Sequence, residues 1–246
     1  MSRITVLSHN VFWFQGMPFA TDQPPAPVGA VLSRLCHLYR KLEADVVCLQ
    51  EVQSREAFEL AGRELAMEGC WSPGVSFPQY GTAVFWRRGT GRMLSDAHRS
   101  SLQVARSWLI AEVAFGGSVL ALANLHLPSA RQLGAEGSAR QRLTELGDVL
   151  ASHAAGLDLV AGDFNEQPDG RLNTFLRQEG YADLARTLPT PPPSLHGGGR
   201  CDYLWLNSRS LWKVRDFGAL KKEDLTLEAE GRYLSDHLPL WAVLEN

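Results

Sequence analysis

Cysteine is scarce in this sequence and is not spaced for metal binding. The 246 residues contain Cys36, Cys48, Cys70 and Cys201, which form no CxxC pair and no Cys/His spacing of the kind that structural zinc sites use. Cys36 falls on the apolar face of a predicted helix, and Cys48 lies inside an apolar run. We therefore expect buried, reduced thiols and a reducing compartment, the cytoplasm.

Long apolar runs are missing as well. No run reaches the length that a bilayer-spanning helix needs, and no signal peptide is evident. The first predicted strand already starts at Arg3, and it carries Asn10, a polar residue that the candidate site needs. We expect a monomer that does not insert stably into a membrane.

Positive charge is limited, and lysine is rare. The chain has 24 basic and 27 acidic residues and a net charge of −3, so its overall charge does not indicate a nucleic-acid-binding protein. Only 4 of the 24 basic residues are lysines; arginine suits phosphate better, but a biased genome explains the same excess. The hydrophobic content of 45% is ordinary for a globular protein, and the length fits one domain over residues 1–246.

Apolar periodicity predicts an alternation of strands and helices. The predicted helices cover 31–42, 55–67, 139–150 and the region around 172–176. The predicted strands cover 4–11, 45–51, 81–86, 107–115, 119–126, 157–163, 200–206, 212–218 and 238–244. Gly116-Gly117 indicates a hairpin, and the stretch 188–199, with four prolines and three consecutive glycines, is a predicted loop.

One pattern occurs twice along the chain. The helix at 31–42 leads through a short turn to a strand that ends at Glu51, and the helix at 139–150 leads to one that ends at Asp163. This repetition fits two similar halves whose strand ends meet.

The stretch Leu157–Asn165 is the centre of the candidate site. A buried apolar strand ends at Asp163, and Asn165 follows two residues later. Gly162, directly before the acid, would let backbone, metal or substrate approach closely. On its own this stretch is also compatible with an Asx-turn. We expect Asp163 and Asn165 to face a phosphate group and the other strand ends to converge on them.

Polar residues also end the other apolar strands. The set comprises Asn10, Glu51, His126, Asp163, Asn165, Asp202, Asp236 and His237. Each would be costly to bury alone, whereas around a divalent cation and a phosphate the groups satisfy one another. Carboxylate and amide oxygens without thiolates favour Mg²⁺ or Mn²⁺ over structural zinc. Taken singly, Glu51 could lie beside a helix N-cap, His126 in a core and Asp236 in a turn cap, so the prediction depends on the whole set.

The same residues carry a family resemblance. The motifs are Asn10, Leu49-Gln50-Glu51, Asn124-Leu125-His126, Gly162-Asp163-Phe164-Asn165, Cys201-Asp202-Tyr203 and Ser235-Asp236-His237. In this order, spanning residues 4 to 244, they resemble the endonuclease/exonuclease/phosphatase superfamily, with the fold of exonuclease III and DNase I. The resemblance implies an α/β (α+β) fold, a four-layer α-β-β-α sandwich whose two packed, mostly antiparallel sheets are flanked by helices. It also implies metal-dependent hydrolysis of phosphoesters at one end of the sandwich.

The resemblance assigns a role to each residue. Glu51 resembles the principal metal ligand, with Asn10 beside it and Asp236 as a further or water-mediated contributor. His126 takes the place of a phosphate-contacting residue. Asp163 and Asn165 resemble the residues that orient or deprotonate the attacking water and position the phosphate. Asp202 would hold His237 in one tautomer, and His237 would act as general base or transition-state donor. The choice between Asp163 and His237 as the base stays open.

The sequence departs from one branch pattern. The exonuclease III-like and tyrosyl-DNA phosphodiesterase branches tend to carry an acid two residues after the first-strand asparagine, where this chain has Phe12. From His126 onward, including the helix with Arg140-Gln141-Arg142-Leu143, the layout still resembles the tyrosyl-DNA phosphodiesterase type. An extra metal contact at Phe12 is not expected.

Three functions compete at this stage. The first is a Mg²⁺- or Mn²⁺-dependent phosphodiesterase, nuclease-like, that acts on nucleic acid or a nucleic-acid adduct. The second keeps this chemistry on a phospholipid or sphingomyelin head group or a small phosphomonoester, because the net charge is near neutral and Phe12-Trp13-Phe14 could be exposed. The third is a non-catalytic binding module, which the presence of every expected polar residue disfavours.

The remaining histidines and aromatic residues receive structural interpretations. Alternation along the first strand points His9 away from the site, and His196 is expected to be a mobile surface residue. Trp13 and Phe14 could stack on a base or a lipid, but core packing is the favoured interpretation.

Overall fold

Two six-stranded sheets form the framework of the protein, seen in a computed structural model that describes residues 2–18, 21, 23–227 and 232–246. The strands are β1 (Arg3–Asn10), β2 (Val46–Val52), β3 (Glu68–Ser72), β4 (Gly81–Trp86), β5 (Gly91–Asp96), β6 (Ser107–Phe115), β7 (Ser118–His126), β8 (Leu159–Asp163), β9 (Tyr181–Asp183), β10 (Asp202–Asn207), β11 (Lys213–Ala219), β12 (Thr226–Leu227), β13 (Arg232–Tyr233) and β14 (Leu240–Glu245). The α-helices are α1 (Gly29–Lys41), α2 (Arg55–Leu65), α3 (Ala130–Ala151) and α4 (Arg171–Gln178).

The two sheets repeat one topology. The first runs in the order β11-β14-β1-β2-β4-β3 and the second in the order β5-β6-β7-β8-β10-β9. In each sheet one central pair is parallel, β1 with β2 and β7 with β8, and the other pairs within these two sheets are antiparallel. A crossover helix joins each parallel pair, α1 in the first half and α3 in the second. The predicted pair of similar halves is confirmed.

Alternation along the central strands produces four layers. Val6 and Val46 point into the core between the sheets, where they join residues such as Leu159 of the second sheet. Their neighbours Leu7 and Val47 point outward and pack under α1 and α2. Val160 likewise points outward and packs with residues of α3 and α4. This α-β-β-α sandwich with mostly antiparallel sheets confirms the predicted fold class.

Three strands escape prediction from the sequence, apart from the short pair β12–β13. β3 is an edge strand of the first sheet, and β5 and β9 are the two edge strands of the second sheet. β5 has the sequence Gly-Arg-Met-Leu-Ser-Asp and no buried residue, so it lacks an apolar alternation. β9 has only three residues. Edge strands bury little side-chain area, which leaves a weak signal in the sequence.

The four cysteines form no disulfide. All four cysteines are free thiols; Cys36, Cys48 and Cys201 are buried, and Cys70 is half-buried. Within the described part of the chain, no helix combines the length and apolar character needed to cross a bilayer.

Gly162 is required by the backbone of the neighbouring strand. Its φ is +131°, and a Cβ built at this position would lie 2.0 Å from the Leu125 carbonyl oxygen in β7. The sequence left open whether backbone, metal or substrate approaches Gly162 closely. In the structure it is the backbone of β7. The glycine thus lets β7 and β8 pair directly under the site.

Gly162→Ala should therefore destabilise the fold. Backbone strain and overpacking each cost on the order of 1–3 kcal/mol, so we expect a loss of roughly 2–5 kcal/mol in the free energy of urea unfolding. Gly147→Ala in α3 is the matched control, because nothing lies within 4 Å of its added Cβ and alanine favours a helix. Equal stability of both variants would contradict this reason for Gly162.

Candidate active site at the strand ends

Polar residues from both sheets meet at one end of the sandwich. Asn10, at the end of β1, donates from Nδ2 to Glu51 Oε1 at 3.2 Å and to Asp163 Oδ2 at 3.1 Å. One amide thus joins carboxylates that belong to different sheets. Its oxygen accepts the N–H of Phe12 at 3.0 Å. The expected convergence of strand ends on Asp163 is present.

A β-bulge aims Glu51 into this cluster. The register between β2 and β4 shifts between Gln50 and Val52, and Glu51 in between has a φ of +58°. A bulge redirects a side chain, and left-handed backbone at a non-glycine residue is strained. Glu51 is 8% exposed, and burial raises its pKa to about 7, with Arg106 acting against this rise and Asp236 adding to it.

Asp163 and Asn165 form a local turn that also belongs to the cluster. The Asn165 N–H donates to Asp163 Oδ1 at 2.9 Å, and Asn165 Nδ2 donates to Asp163 Oδ2 at 3.1 Å and to the Leu127 carbonyl at 3.0 Å. The Asx-turn and a role in the site are therefore compatible. Asp163 makes this turn and also accepts a hydrogen bond from Asn10. Asn165 has a φ of +50°, a further strained residue at the site.

Asp202 and His237 form a buried pair. Asp202 Oδ2 lies 2.8 Å from His237 Nδ1 and accepts the Ser194 hydroxyl at 2.6 Å. This contact fixes the ring and leaves Nε2 for other partners, as the resemblance implies. Burial alone would lower the pKa of His237, but the Asp202 carboxylate more than reverses this and raises the pKa well above its usual range.

The serine of the Ser-Asp-His motif before β14 anchors the segment. The Ser235 hydroxyl donates to the Asn10 carbonyl at 2.7 Å and accepts the His237 N–H at 3.1 Å. Asp236 is partly exposed, and its Oδ1 lies 4.0 Å from His237 Nε2. Ser235 therefore ties the segment of Asp236 and His237 to the end of β1.

His126 is more deeply placed than the resemblance implies. It has no exposed surface, and its Nε2 lies 3.6 Å from both Glu51 Oε1 and Asp163 Oδ2. Burial, together with the neighbouring Arg106, lowers the pKa of His126 well below its usual value. In this arrangement the ring is a neutral support beneath the two carboxylates.

Arg106 is a site residue that the sequence analysis missed. Its Nη1 contacts His126 Nε2, its Nη2 donates to the Ser129 hydroxyl at 3.2 Å, and its guanidinium lies 4.4 Å from the centre of the Tyr80 ring. Arg106 is 6% exposed, and its Nε has no hydrogen-bond partner among the described residues. A buried cation with a free N–H beside Glu51 suits an anionic ligand.

Two further motif residues hold the sheets together below the site. Gln50 Nε2 donates to Asn124 Oδ1 at 2.7 Å, and Asn124 Nδ2 donates to the carbonyls of Leu49 and Ala83, both at 2.9 Å. Both side chains are fully buried between the sheets. They fix the relative position of β2 and β7, which carry Glu51 and His126.

His9 supports the site from behind. It points away from the cluster, as alternation predicts, and is buried with Nδ1 2.6 Å from the Tyr39 hydroxyl and Nε2 3.1 Å from the His237 carbonyl oxygen. Burial lowers the pKa of His9 to about 3. The ring is therefore neutral in the folded chain at pH values where it is charged in the unfolded chain.

His9→Gln should reduce acid sensitivity. Below pH 6.5 the unfolded chain binds a proton at His9 that the folded chain does not, so stability rises with pH in this range. The variant should lower the slope of unfolding free energy against pH by about 1.4 kcal/mol per pH unit near pH 5, and by about half of that at pH 6.5. Urea unfolding measures this slope. His98→Gln, at an exposed position, is the control; an unchanged slope in His9→Gln would contradict the account.

The structure also describes the surroundings of His196 and of the aromatic tripeptide. His196 is half-buried: its backbone N–H donates to the Asp236 carbonyl at 3.0 Å, and its ring packs 4.5 Å from the Tyr233 ring. Trp13 and Phe14 are buried, which confirms core packing, and Phe12 is half-buried with its ring 5.9 Å from that of Trp13. The tripeptide is therefore not an exposed aromatic patch.

The oxygen atoms around Glu51 fit a divalent cation. Asp236 opposes the ionisation of Glu51, and the buried Asp236 Oδ1 has no hydrogen-bond partner within the described ranges. Asp163 and Asp202 are directly opposite each other on β8 and β10, an unfavourable pairing of like charges. A cation held by carboxylate and amide oxygens would offset these penalties, and such oxygens suit Mg²⁺ or Mn²⁺.

A second set of possible ligand atoms is more tightly grouped. Asp163, Cys201, Asp202 and His237 each offer one atom, and these atoms lie within 4.8 Å of one another. Several of them already hydrogen-bond to each other, and sulfur is a poor ligand for Mg²⁺. This set therefore suits a softer ion than the oxygen donors around Glu51 do.

Solved structures with the same fold include proteins of several activities. TDP2 of D. rerio, complexed with a single-strand DNA product, is 19% identical, with 100% of each chain covered and a TM-score of 0.72. The human nocturnin catalytic domain with bound sulfate is 18% identical, with 99% of this chain and 93% of that chain covered and a TM-score of 0.71. The mannosyl-6-phosphatase of Bacteroides thetaiotaomicron is 15% identical, with 99% of this chain and 100% of that chain covered and a TM-score of 0.70.

These likenesses show the fold, whereas the sequence itself shows the family. No curated protein matches the chain. The sequence model of the Endonuclease/Exonuclease/phosphatase family matches residues 7–237, a range that contains all eight predicted site residues. The chain therefore belongs to the Endonuclease/Exonuclease/phosphatase family, whose members hydrolyse phosphoesters.

Proposed function

We propose that the protein is a Mg²⁺- or Mn²⁺-dependent phosphodiesterase, nuclease-like, that cleaves nucleic acid or a nucleic-acid adduct by attack of water. The observation that carries this proposal is the hydrogen-bonded group of Asn10, Glu51 and Asp163, drawn from both sheets. The pair Asp202–His237 lies beside it. No structural role requires so many buried carboxylates at one edge, and a metal-bound phosphate would satisfy them.

Three residues would hold the cation. Glu51 is the principal ligand, with Asn10 beside it and Asp236 as a direct or water-mediated contributor. A bound Mg²⁺ or Mn²⁺ would neutralise phosphate charge and polarise a phosphate oxygen. Asn10 Nδ2 orients Glu51 and Asp163 toward each other, while its oxygen keeps a lone pair beyond the one that Phe12 uses.

The remaining residues would move a proton and stabilise charge. Asp163, whose oxygens accept N–H donors from Asn10 and Asn165, orients the attacking water and takes its proton. His237, held at Nδ1 by Asp202, donates from Nε2 to the transferring phosphate. Arg106 adds a further cationic donor near Glu51, with neutral His126 as its support.

Several observations favour nucleic acid over lipid. The lipid alternative depended on an exposed Phe12-Trp13-Phe14, and two of these side chains are buried. Beside the site, Tyr80 lies 5.6 Å from the His126 ring and 6.1 Å from the partly exposed Phe77 ring. Exposed aromatic rings stack on bases without regard to sequence. TDP2, with the same fold, binds a single-strand DNA product, which supports the same choice here.

A substrate panel tests the proposal. Purified protein with Mg²⁺ or Mn²⁺ should cleave single-stranded DNA, RNA or a DNA 5′-adduct, and EDTA should abolish cleavage. Sphingomyelin and a sugar phosphate form the other arms of the panel, since a phosphatase with this fold acts on a mannosyl phosphate. Turnover of lipid or sugar phosphate alone would contradict the nucleic-acid assignment. If the folded protein hydrolyses no substrate in an EDTA-sensitive way, the assignment as a metal-dependent enzyme is wrong, and a non-catalytic binding module becomes the favoured function.

A further inference from the structure

Cys201 is a site neighbour that the proposed reaction does not use. Its thiol is buried directly beside the reacting pair, with Sγ 3.5 Å from Asp202 Oδ2 and 4.0 Å from His237 Nδ1. An aliphatic side chain would fill this position directly before β10 without introducing a nucleophile or a soft ligand. Together with Asp163, these groups place a sulfur, a nitrogen and carboxylate oxygens within 4.8 Å of one another.

The spacing of these atoms is close to that of a tetrahedral zinc site. Zinc bonds of about 2.0 Å to nitrogen or oxygen and 2.3 Å to sulfur imply ligand–ligand separations of about 3.3–3.5 Å in a tetrahedral set with one sulfur. The three measured separations are 2.8 Å for His237 Nδ1 to Asp202 Oδ2, 3.5 Å for Cys201 Sγ to Asp202 Oδ2 and 4.0 Å for Cys201 Sγ to His237 Nδ1. Side-chain shifts of about half an ångström would bring all three into range.

A second observation points to a missing ligand. Asp202 is 1% exposed, and its Oδ1 has no hydrogen-bond partner in the part of the chain that the structure describes. A buried carboxylate oxygen without a partner carries a desolvation penalty of about 1–3 kcal/mol or more. Asp163, directly opposite on β8, adds a second negative charge that a cation would offset.

We propose that Cys201, His237, Asp202 and Asp163 form a regulatory site for a soft divalent cation, Zn²⁺ in the first instance, that switches the enzyme off. Zinc binding replaces the Cys201 thiol proton and the Nδ1 proton that His237 donates to Asp202, and both protons pass to solvent. The His237 ring binds the ion through Nδ1 and keeps its proton on Nε2, so the hydrogen bond to Asp202 is exchanged for metal bonds. The donor set contains sulfur, which Zn²⁺ accepts and Mg²⁺ does not.

Occupation of this site is incompatible with the reaction. His237 would lose the orientation that Asp202 gives it, and Asp163 would no longer be free to orient water. The catalytic cation is assigned to oxygen donors around Glu51, so added Mg²⁺ should not displace the soft ion from sulfur. The inhibition half of this inference rests on the proposed function, whereas the binding half does not.

Cobalt reports the site directly, without any activity measurement. Co²⁺ replaces Zn²⁺ in tetrahedral sites, and a Cys201 ligand should give a thiolate-to-metal charge-transfer band in the near ultraviolet that excess Zn²⁺ removes. Cys201→Ser keeps a small hydrogen-bonding group beside Asp202 and should lose the band. Cys70→Ser is the matched control, because Cys70 is half-buried and lies outside the group of ligand atoms. Two results would overturn the proposed metal site. One is a charge-transfer band that persists in Cys201→Ser, and the other is the absence of the band from folded wild type.

Inhibition provides the second readout. In saturating Mg²⁺, wild type and Cys70→Ser should share one half-inhibiting Zn²⁺ concentration, while Cys201→Ser, measured against its own zinc-free rate, should need at least about 10-fold more. Equal inhibition of all three proteins would overturn the regulatory role. If no substrate is hydrolysed, the cobalt band still decides the binding site, so failure of the proposed function and failure of this inference give different results.

Discussion

Replacing His237 by alanine is expected to lower kcat by roughly 10²–10⁴-fold, a range that covers loss of a transition-state hydrogen-bond donor and loss of an acid–base group. The variant removes the Nε2 donor that faces the proposed phosphate position. It should still fold, because Asp202 keeps the hydrogen bond from Ser194 and β14 keeps its pairing with β1. Steady-state hydrolysis of the preferred substrate and a thermal melt measure the two effects together.

Two other variants separate chemistry from structure. Asp202→Asn keeps the shape of the pair but removes the charge beside His237 Nδ1, so kcat should fall while KM changes less. His98→Ala, at an exposed histidine, should match wild type. Unchanged turnover in a folded His237→Ala would remove this residue from the mechanism.

Replacing Glu51 by glutamine should reduce the rate of hydrolysis about as strongly as replacing His237 by alanine. The substitution keeps the shape of the side chain and an oxygen for Asn10, but it removes the charge that would hold the cation. Metal assistance supplies several kcal/mol of transition-state stabilisation, and each 1.4 kcal/mol is tenfold in rate, so we expect kcat/KM to fall by about 10³-fold or more. The measurement is hydrolysis as a function of Mg²⁺ concentration.

The dependence on metal distinguishes this role from a general loss of stability. Glu51→Gln should be more stable than wild type or equal to it without metal, because burial already raises the pKa of Glu51 to about 7 and opposes its charge. Glu59→Gln, on α2 in an exposed pair with Arg55, is the control and should keep the wild-type Mg²⁺ dependence. A fully active Glu51→Gln with unchanged Mg²⁺ dependence would contradict the assignment.

The positions of the site residues follow from a simple feature of the sequence. Each apolar strand of the central parallel pairs ends in a polar residue, and parallel strands joined by a helix end at the same edge of their sheet. Asn10 and Glu51 in one half, and His126 and Asp163 in the other, could therefore be placed together from the chain alone. Their roles in the reaction remain proposals, because position does not identify a ligand.

Arg106 could have been found from the register of the predicted hairpin. With Gly116-Gly117 as the turn, Ser107 pairs with His126, so the residue before Ser107 lies next to the end of β7. Arg106 precedes an apolar run in the sequence and looks like an ordinary flanking charge. The sequence does not indicate the contact between Arg106 and Tyr80. Tyr80 ends the 73–80 loop, and its ring meets the guanidinium only in the folded structure.

Other features depend on packing between distant segments. The bulge at Glu51, with its positive φ, has no signature in the sequence Leu-Gln-Glu-Val, because glutamate rarely adopts this backbone conformation. Full burial of His126 depends on Arg106 and Tyr80, which come from other strands and loops. The aromatic run Phe12-Trp13-Phe14 gives no indication of which side chains are covered, since alternation ends with β1.

A crystal soaked in Mn²⁺, with data collected at the manganese absorption edge, tests the central claim most directly. The account predicts an anomalous peak within bonding distance of the Glu51 carboxylate, near Asn10 and Asp236, that disappears in Glu51→Gln. Manganese bound only among Asp163, Cys201, Asp202 and His237, or no manganese at the strand ends, would contradict it.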